Sequence, residues 1–154
     1  MTTSEALRQF FTAHSFAVVG ASTDPSKYGN KVLKWYLDRQ ITAYPINPKR
    51  PTIYGITAIP TIAELLDPQS AVPNATAAGD FDSLSVSIIT PPRISEATLR
   101  ELSGIGPHII KGVWLQPGSF DDQTLEAAKN LNVIAHGHCI LVEGDDARAS
   151  LTKL

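Results

Sequence analysis

Apolar residues recur along the chain with two alternating periods. Leu7, Phe10 and Phe11 share a helical face behind Thr3 or Ser4 as the N-cap, predicting a first helix that ends near Ala13. Residues 16–19 form a short β-rich run closed by Gly20. The helical period returns over residues 28–39, where Val32, Leu33, Trp35, Tyr36 and Leu37 oppose Lys31, Lys34 and Asp38. Residues 42–46 read as a second strand, stopped by Asn47-Pro48, and residues 56–59 as a short third one before a helix over 61–66. Leu84, Val86 and Ile88 alternate with serines in a fourth strand that runs to Thr90. Pro91-Pro92 ends it, and residues 93–103 are helical. Residues 109–115 give a fifth strand. Ser119 with Asp122 resembles a capping box for a helix reaching Leu131, residues 133–135 begin a last strand, and the remainder reads as a polar tail.

Strands thus alternate with helices throughout, and the first two strands are far enough apart for a helical crossover. This pattern predicts a Rossmann-like, doubly wound, mainly parallel α/β sheet of five or six strands with helices on both faces. Residues 67–82 lack periodicity and carry Pro68, Pro73 and Gly79, so they read as a surface loop within a single domain spanning 1–154.

Composition narrows the functional classes. A formal net charge of -2 argues against nucleic-acid binding, and 43% apolar with 18% charged residues is ordinary for a soluble globular chain. No apolar run reaches the about 20 residues of a membrane span, and the first residues lack a secretory core, so no membrane association and a cytoplasmic location are expected. The single cysteine, Cys139, rules out an internal disulfide.

The candidate chemistry starts in the stretch FAVVGASTDPSKYGN. In an open α/β sheet the ligand sits beyond the carboxyl ends of the strands. The first strand–helix loop there offers backbone amides to a pyrophosphate. Gly20 and Gly29 flank that loop; Ser22, Thr23 and Ser26 add hydroxyls and Lys27 a charge. Neither G-x-G-x-x-G nor a P-loop is present. The second strand ends in Asn47-Pro48-Lys49-Arg50 without the carboxylate that an NAD site uses, and its two cations suit a phosphorylated ribose. NADP and coenzyme A both carry such a phosphate. The segment His136-Gly137-His138-Cys139 offers imidazole and thiolate, but no second Cys/His cluster completes a zinc site, so no metal is expected and Cys139 reads as a small buried residue at a strand end.

Val18-Val19-Gly20-Ala21-Ser22 with Gly29, Pro45-Ile46-Asn47-Pro48, the run Gly112-Val113-Trp114-Leu115-Gln116-Pro117-Gly118, and Cys139-Ile140 with Glu143 resemble the small stand-alone CoA-binding-domain proteins. That family is similar to the N-terminal domain of the succinyl-CoA synthetase α subunit and of ADP-forming acyl-CoA synthetases. The resemblance covers nearly the whole chain, and the Trp-Leu-Gln-x-Gly run is its most specific part.

The resemblance implies that Gly20, Ala21, Ser22 and Gly29 line the CoA phosphates, with Lys27 or Tyr28 nearby. It places Asn47, Pro48 and Lys49 at the adenosine end, Thr90, Pro91 and Pro92 against the nucleotide, and Trp114, Gln116 and Gly118 at the inner end of the crevice. Two departures qualify it. The phosphohistidine and nucleotide-grasp domains of the ligases have no counterpart in these residues, so ligase activity is not implied. Gly137-His138 stands where the family has Asp-Arg. The expectation is a non-catalytic CoA or acyl-CoA binding module, with a protein partner and a homodimer both left open. An NADP-dependent oxidoreductase and a ligand-free interaction scaffold are the alternatives.

Overall fold

The computed structural model describes residues 2–67 and 82–153, so the expected surface loop lies outside the described residues except for its ends, Asp67 and Asp82. The chain runs α1 (Thr3–Phe10), β1 (Ser15–Val19), α2 (Tyr28–Asp38), β2 (Ala43–Ile46), β3 (Thr52–Ile53), β4 (Ile56–Thr57), α3 (Ile62–Leu66), β5 (Leu84–Ile88), α4 (Pro92–Ile105), β6 (Ile110–Leu115), α5 (Asp122–Glu126), β7 (Val133–Ile134) and α6 (Ile140–Ala149), with a closing 3-10 turn over Ser150–Lys153.

Five strands form one sheet in the order β2-β1-β5-β6-β7, with every neighbouring pair parallel. This is the expected Rossmann-like α/β architecture. β3 and β4 pair antiparallel in a separate hairpin, so the anticipated third strand over residues 56–59 is not a strand of the main sheet. Its end still reaches the sheet, because Ile59 bridges Ile46.

Each face of the sheet carries its own core. On one side α1, α2 and α6 bury Phe10, Leu33, Tyr36 and Trp114; on the other α3, α4 and α5 bury Ile62, Leu65, Leu99 and Leu102. Each of these large side chains contributes roughly 1.5–3 kcal/mol by leaving water. Covering both faces also buries the serines that alternate along β5, and each is paired. Ser85 Oγ donates to the Phe10 carbonyl at 2.6 Å, and Ser87 Oγ lies 2.7 Å from Tyr36 Oη. Burial pushes the Tyr36 phenol well above its ordinary pKa, so it stays neutral and holds that bond.

The helix ends differ from expectation for local reasons. Thr2, rather than Thr3 or Ser4, caps α1, because only Thr2 stands three residues before Glu5: Thr2 Oγ1 accepts from the Glu5 amide at 3.1 Å and Glu5 returns the bond at 3.0 Å. The same rule selects Asp121 with Thr124 over Ser119 with Asp122 at α5. The supposed polar tail is helix α6. Its buried stripe is Ile140, Gly144 and Ala147, too small and sparse to register as an apolar period. A Cβ on Gly144 would stand 2.4 Å from the Trp35 ring, so the glycine allows α6 to lie flat against α2. Among the described residues no helix is long and apolar enough to cross a membrane.

Candidate functional site

The strand order reverses at β1, which has β2 on one side and β5 on the other. A crevice opens there beyond the carboxyl ends of the strands, where open α/β sheets take their ligands. It has a volume of about 490 Å³ and is walled by Gly20–Ser22 with Lys27, by Asn47 and Pro48 after β2, by Thr90 after β5, and by Ile94, Thr98 and Glu101 of α4.

The loop after β1 is built by close approach. Gly20 has φ 92°, and a Cβ there would lie 3.0 Å from Thr90 Cγ2. Gly29 presses the first turn of α2 onto the loop: its Cβ would fall 2.0 Å from the Gly20 carbonyl oxygen. The glycine is therefore required for helix-to-loop packing, behind the ligand-facing wall.

Two buried or half-buried amides then fix the loop's polarity. Asn47 Nδ2 donates to the Ala21 carbonyl and Asn30 Nδ2 to the Ser22 carbonyl, both at 2.9 Å. A peptide is planar and trans, so its N–H runs opposite to its C=O. Holding the Ala21 and Ser22 carbonyls directs the Ser22 and Thr23 N–H groups away from the two asparagines. The amides of Ala21, Ser22, Thr23, Tyr28 and Gly29 have no hydrogen-bond partner among the described residues. Lys27, the N-cap of α2, contributes no side-chain cap to its helix. Asp24 closes the outer part of the loop by accepting from the Ser26 amide at 2.9 Å and its hydroxyl at 2.7 Å. These bonds hold its carboxyl below the ordinary aspartate range. The unpartnered amides of Ala21 and Ser22 on the crevice wall, with Thr23 beside them, the N-terminus of α2 and Lys27 make an arrangement suited to an anion.

A second polar cluster follows β6. Gln116, 3% exposed, accepts from the Ile140 amide at 2.8 Å and donates to Cys139 Sγ at 3.3 Å. Trp114 Nε1 donates to the His138 carbonyl at 2.9 Å; Glu143 takes His138 Nδ1 at 2.8 Å and the Cys139 amide at 3.2 Å. His136 and Gly137, with φ 62° and 91°, make the turn that leads into α6. Cys139 is the N-cap of that helix and partly exposed, rather than a buried strand end. These contacts join β6 to α6.

Gly20, Ala21, Ser22, Lys27, Asn47, Pro48 and Thr90 thus line one crevice, with Gly29 behind it. Tyr28 stands outside the lining, 56% exposed, with Lys31 over its ring at 5.4 Å. Lys49 is exposed beyond the lining, and the neighbouring Arg50 faces Glu64 at 3.6 Å. Pro91 and Pro92 serve as N-cap and first residue of α4 and do not border the crevice. Trp114 is completely buried, packed edge-on to Phe10 at 5.5 Å; with Gln116 and Gly118 it belongs to the β6 turn instead of the crevice. Sequence patterns missed Asn30, which holds the loop, and Ile94, Thr98 and Glu101 on the crevice wall. Only Asn30 left a signal, a polar residue on the apolar side of α2.

A larger hollow of about 740 Å³ lies along the β7 edge. The Asn132 amide on its wall is already committed to the carbonyls of Ala6 and Lys111. Position at the reversal of strand order, rather than size, singles out the crevice at β1.

Comparison with known proteins agrees with this architecture. The chain is 29% identical over 142 residues to the α subunit of acetate–CoA ligase [ADP-forming] II from Pyrococcus furiosus; the match takes in 90% of this chain and 27% of that subunit. The chain therefore spans about a quarter of that relative. Among solved structures, a hypothetical protein from Pyrococcus horikoshii superposes with a TM-score of 0.73 at 23% identity, covering 95% of this chain and 92% of the other. A protein from Thermus thermophilus gives 0.69 at 22% identity over 96% and 99%. These two likenesses establish the fold. The CoA binding domain model matches residues 14–145, nearly the whole chain, and the protein belongs to that family.

Proposed function

We propose that the protein binds coenzyme A or an acyl-CoA in the crevice between β1 and β5, as a carrier or sensor rather than a catalyst. The observation that carries this reading is the loop whose Ala21 and Ser22 carbonyls are held by Asn47 and Asn30 while the Ala21, Ser22 and Thr23 amides have no partner among the described residues. A diphosphate supplies the missing acceptors, and Lys27 adds charge. Ile94, Pro48 and Ala97 give the crevice an apolar wall of the kind a nucleotide base packs against. The groups facing the crevice are mostly donors and carbon; its carboxylate, Glu101, accepts from the Ala63 amide at 2.7 Å. The family supports the ligand class, as does a relative whose name is that of a CoA ligase subunit.

Lys49, beside the crevice, is assigned the phosphate on the adenosine ribose, and it reaches that phosphate only by swinging inward. Thermal denaturation with CoA, acetyl-CoA, dephospho-CoA, NADP and NAD tests the reading. CoA at about 100 times its dissociation constant adds about 2.7 kcal/mol of stability. Dephospho-CoA binds more weakly, and Lys49→Ala removes that difference. Stabilisation by NADP and not by CoA overturns the proposal.

A further inference from the structure

The β3–β4 hairpin carries an unusual residue at its tip. Tyr54 and Gly55 have φ 52° and 80°, the two left-handed positions of a two-residue hairpin turn. Such a turn favours Asn, Asp or Gly first, and a bulky aromatic there is strained. The hydroxyl of Tyr54 donates to Asn30 Oδ1 at 2.5 Å. Asn30 is 2% exposed, and its other amide atom holds the Ser22 carbonyl. A chain of two hydrogen bonds therefore runs from the hairpin tip, through α2, to the loop after β1.

We propose that Tyr54 is a positioning residue for that loop: it orients Asn30, and Asn30 sets the peptide between Ser22 and Thr23 for anion binding. The inference rests on the CoA reading above and adds the β3–β4 hairpin to what determines affinity. The physical reason is the two-sided chemistry of a carboxamide. One end donates and the other accepts, and a half-turn about its last bond exchanges them. The Ser22 carbonyl can only accept, so Nδ2 must face it, which turns Oδ1 toward Tyr54, where the phenolic O–H donates to it. Without the hydroxyl, Oδ1 loses its donor, the carboxamide is no longer fixed at both ends, and its grip on the Ser22 carbonyl, and so on the direction of the Thr23 N–H, loosens. The strained backbone at Tyr54 is tolerated at a site where strain and binding coincide.

The test is a double-mutant cycle on the full chain, with CoA affinity read by calorimetry. Tyr54→Phe removes one oxygen from a half-exposed ring and leaves the fold intact. It weakens CoA binding about three- to tenfold, the range of one lost hydrogen bond. Asn30→Ala weakens it further, and adding Tyr54→Phe in that background changes nothing, because Tyr54 acts only through Asn30. A merely structural contribution, or direct contact with CoA, makes the two effects additive and overturns the proposal. Should Asn30→Ala fail to fold, the Thr23 amide resonance of Tyr54→Phe without ligand decides: a shift supports the relay, and an unchanged resonance overturns it. Wild-type affinity for CoA with none of these effects sinks the relay alone. A wild-type protein that does not bind CoA sinks the reading on which it rests as well.

Discussion

Two turns at the carboxyl end of the same sheet have opposite polar economies. After β1, the amides of Ala21, Ser22 and Thr23 have no partner among the described residues, while the carbonyls of Ala21 and Ser22 are held. After β6, Gln116, Trp114, Cys139 and Glu143 are bonded to one another and to the start of α6. The first turn has donors left for a guest; the second uses its groups to fasten a helix. The motif with the most specific sequence, Trp-Leu-Gln-x-Gly, lies in the second. Its specificity therefore reflects the demands of a buried joint, and the less distinctive glycine loop is the better candidate for binding.

The largest effect expected from substitution is at the point where helix meets loop. Gly29→Ala places a methyl 2.0 Å from the Gly20 carbonyl, and backbone on both sides must move. It costs about 3 kcal/mol, the upper end of overpacking, in urea denaturation, and abolishes CoA binding by the folded fraction. Wild-type stability would show that the helix does not press on the loop. Gln116→Ala leaves the Ile140 amide without its acceptor and costs about 2 kcal/mol, with CoA affinity within roughly twofold of wild type. A large loss of affinity there would erase the contrast between the two turns.

Asn47→Ala does the reverse. Stability falls by about 1 kcal/mol, while CoA affinity drops about tenfold as the Ala21 peptide loses its tether. The smallest effect belongs to Asp145→Asn on α6. Arg39 holds Asp145 at 2.6 Å and keeps its carboxyl below the ordinary aspartate range. A depressed acid pKa contributes stability above the unfolded-state value, and that contribution is lost as pH falls through the folded value. The variant is therefore slightly less stable than wild type at neutral pH. The difference narrows only as pH falls below the ordinary aspartate range and through the lowered folded value, as thermal melts across acid pH would record.

The alternation of strands and helices was legible in the sequence because most elements carry large apolar residues at one period. The last helix was not, since Ile140, Gly144 and Ala147 bury little area and owe their packing to Trp35, more than a hundred residues away. Gly20, Ala21 and Ser22 could be placed because a strand followed by glycine and small residues marks a loop of known position. Asn30 could not be assigned a role, because its importance comes from a hairpin whose folding-back no local pattern announces. The place of Trp114 was not legible for a related reason: a motif identifies residues that occur together, and only the packed core shows that this ring is fully buried.

The close approach of Gly20 to Thr90 joins the first strand–helix loop to a residue seventy positions later in the chain. A growing chain exposes the glycine turn long before the strand that supplies its opposing wall has been made. Until Leu84–Ile88 pairs with β1, the crevice lacks the wall formed by Thr90 and α4. A chain that stops short of Thr90 therefore lacks one wall of the proposed site and is expected not to bind CoA.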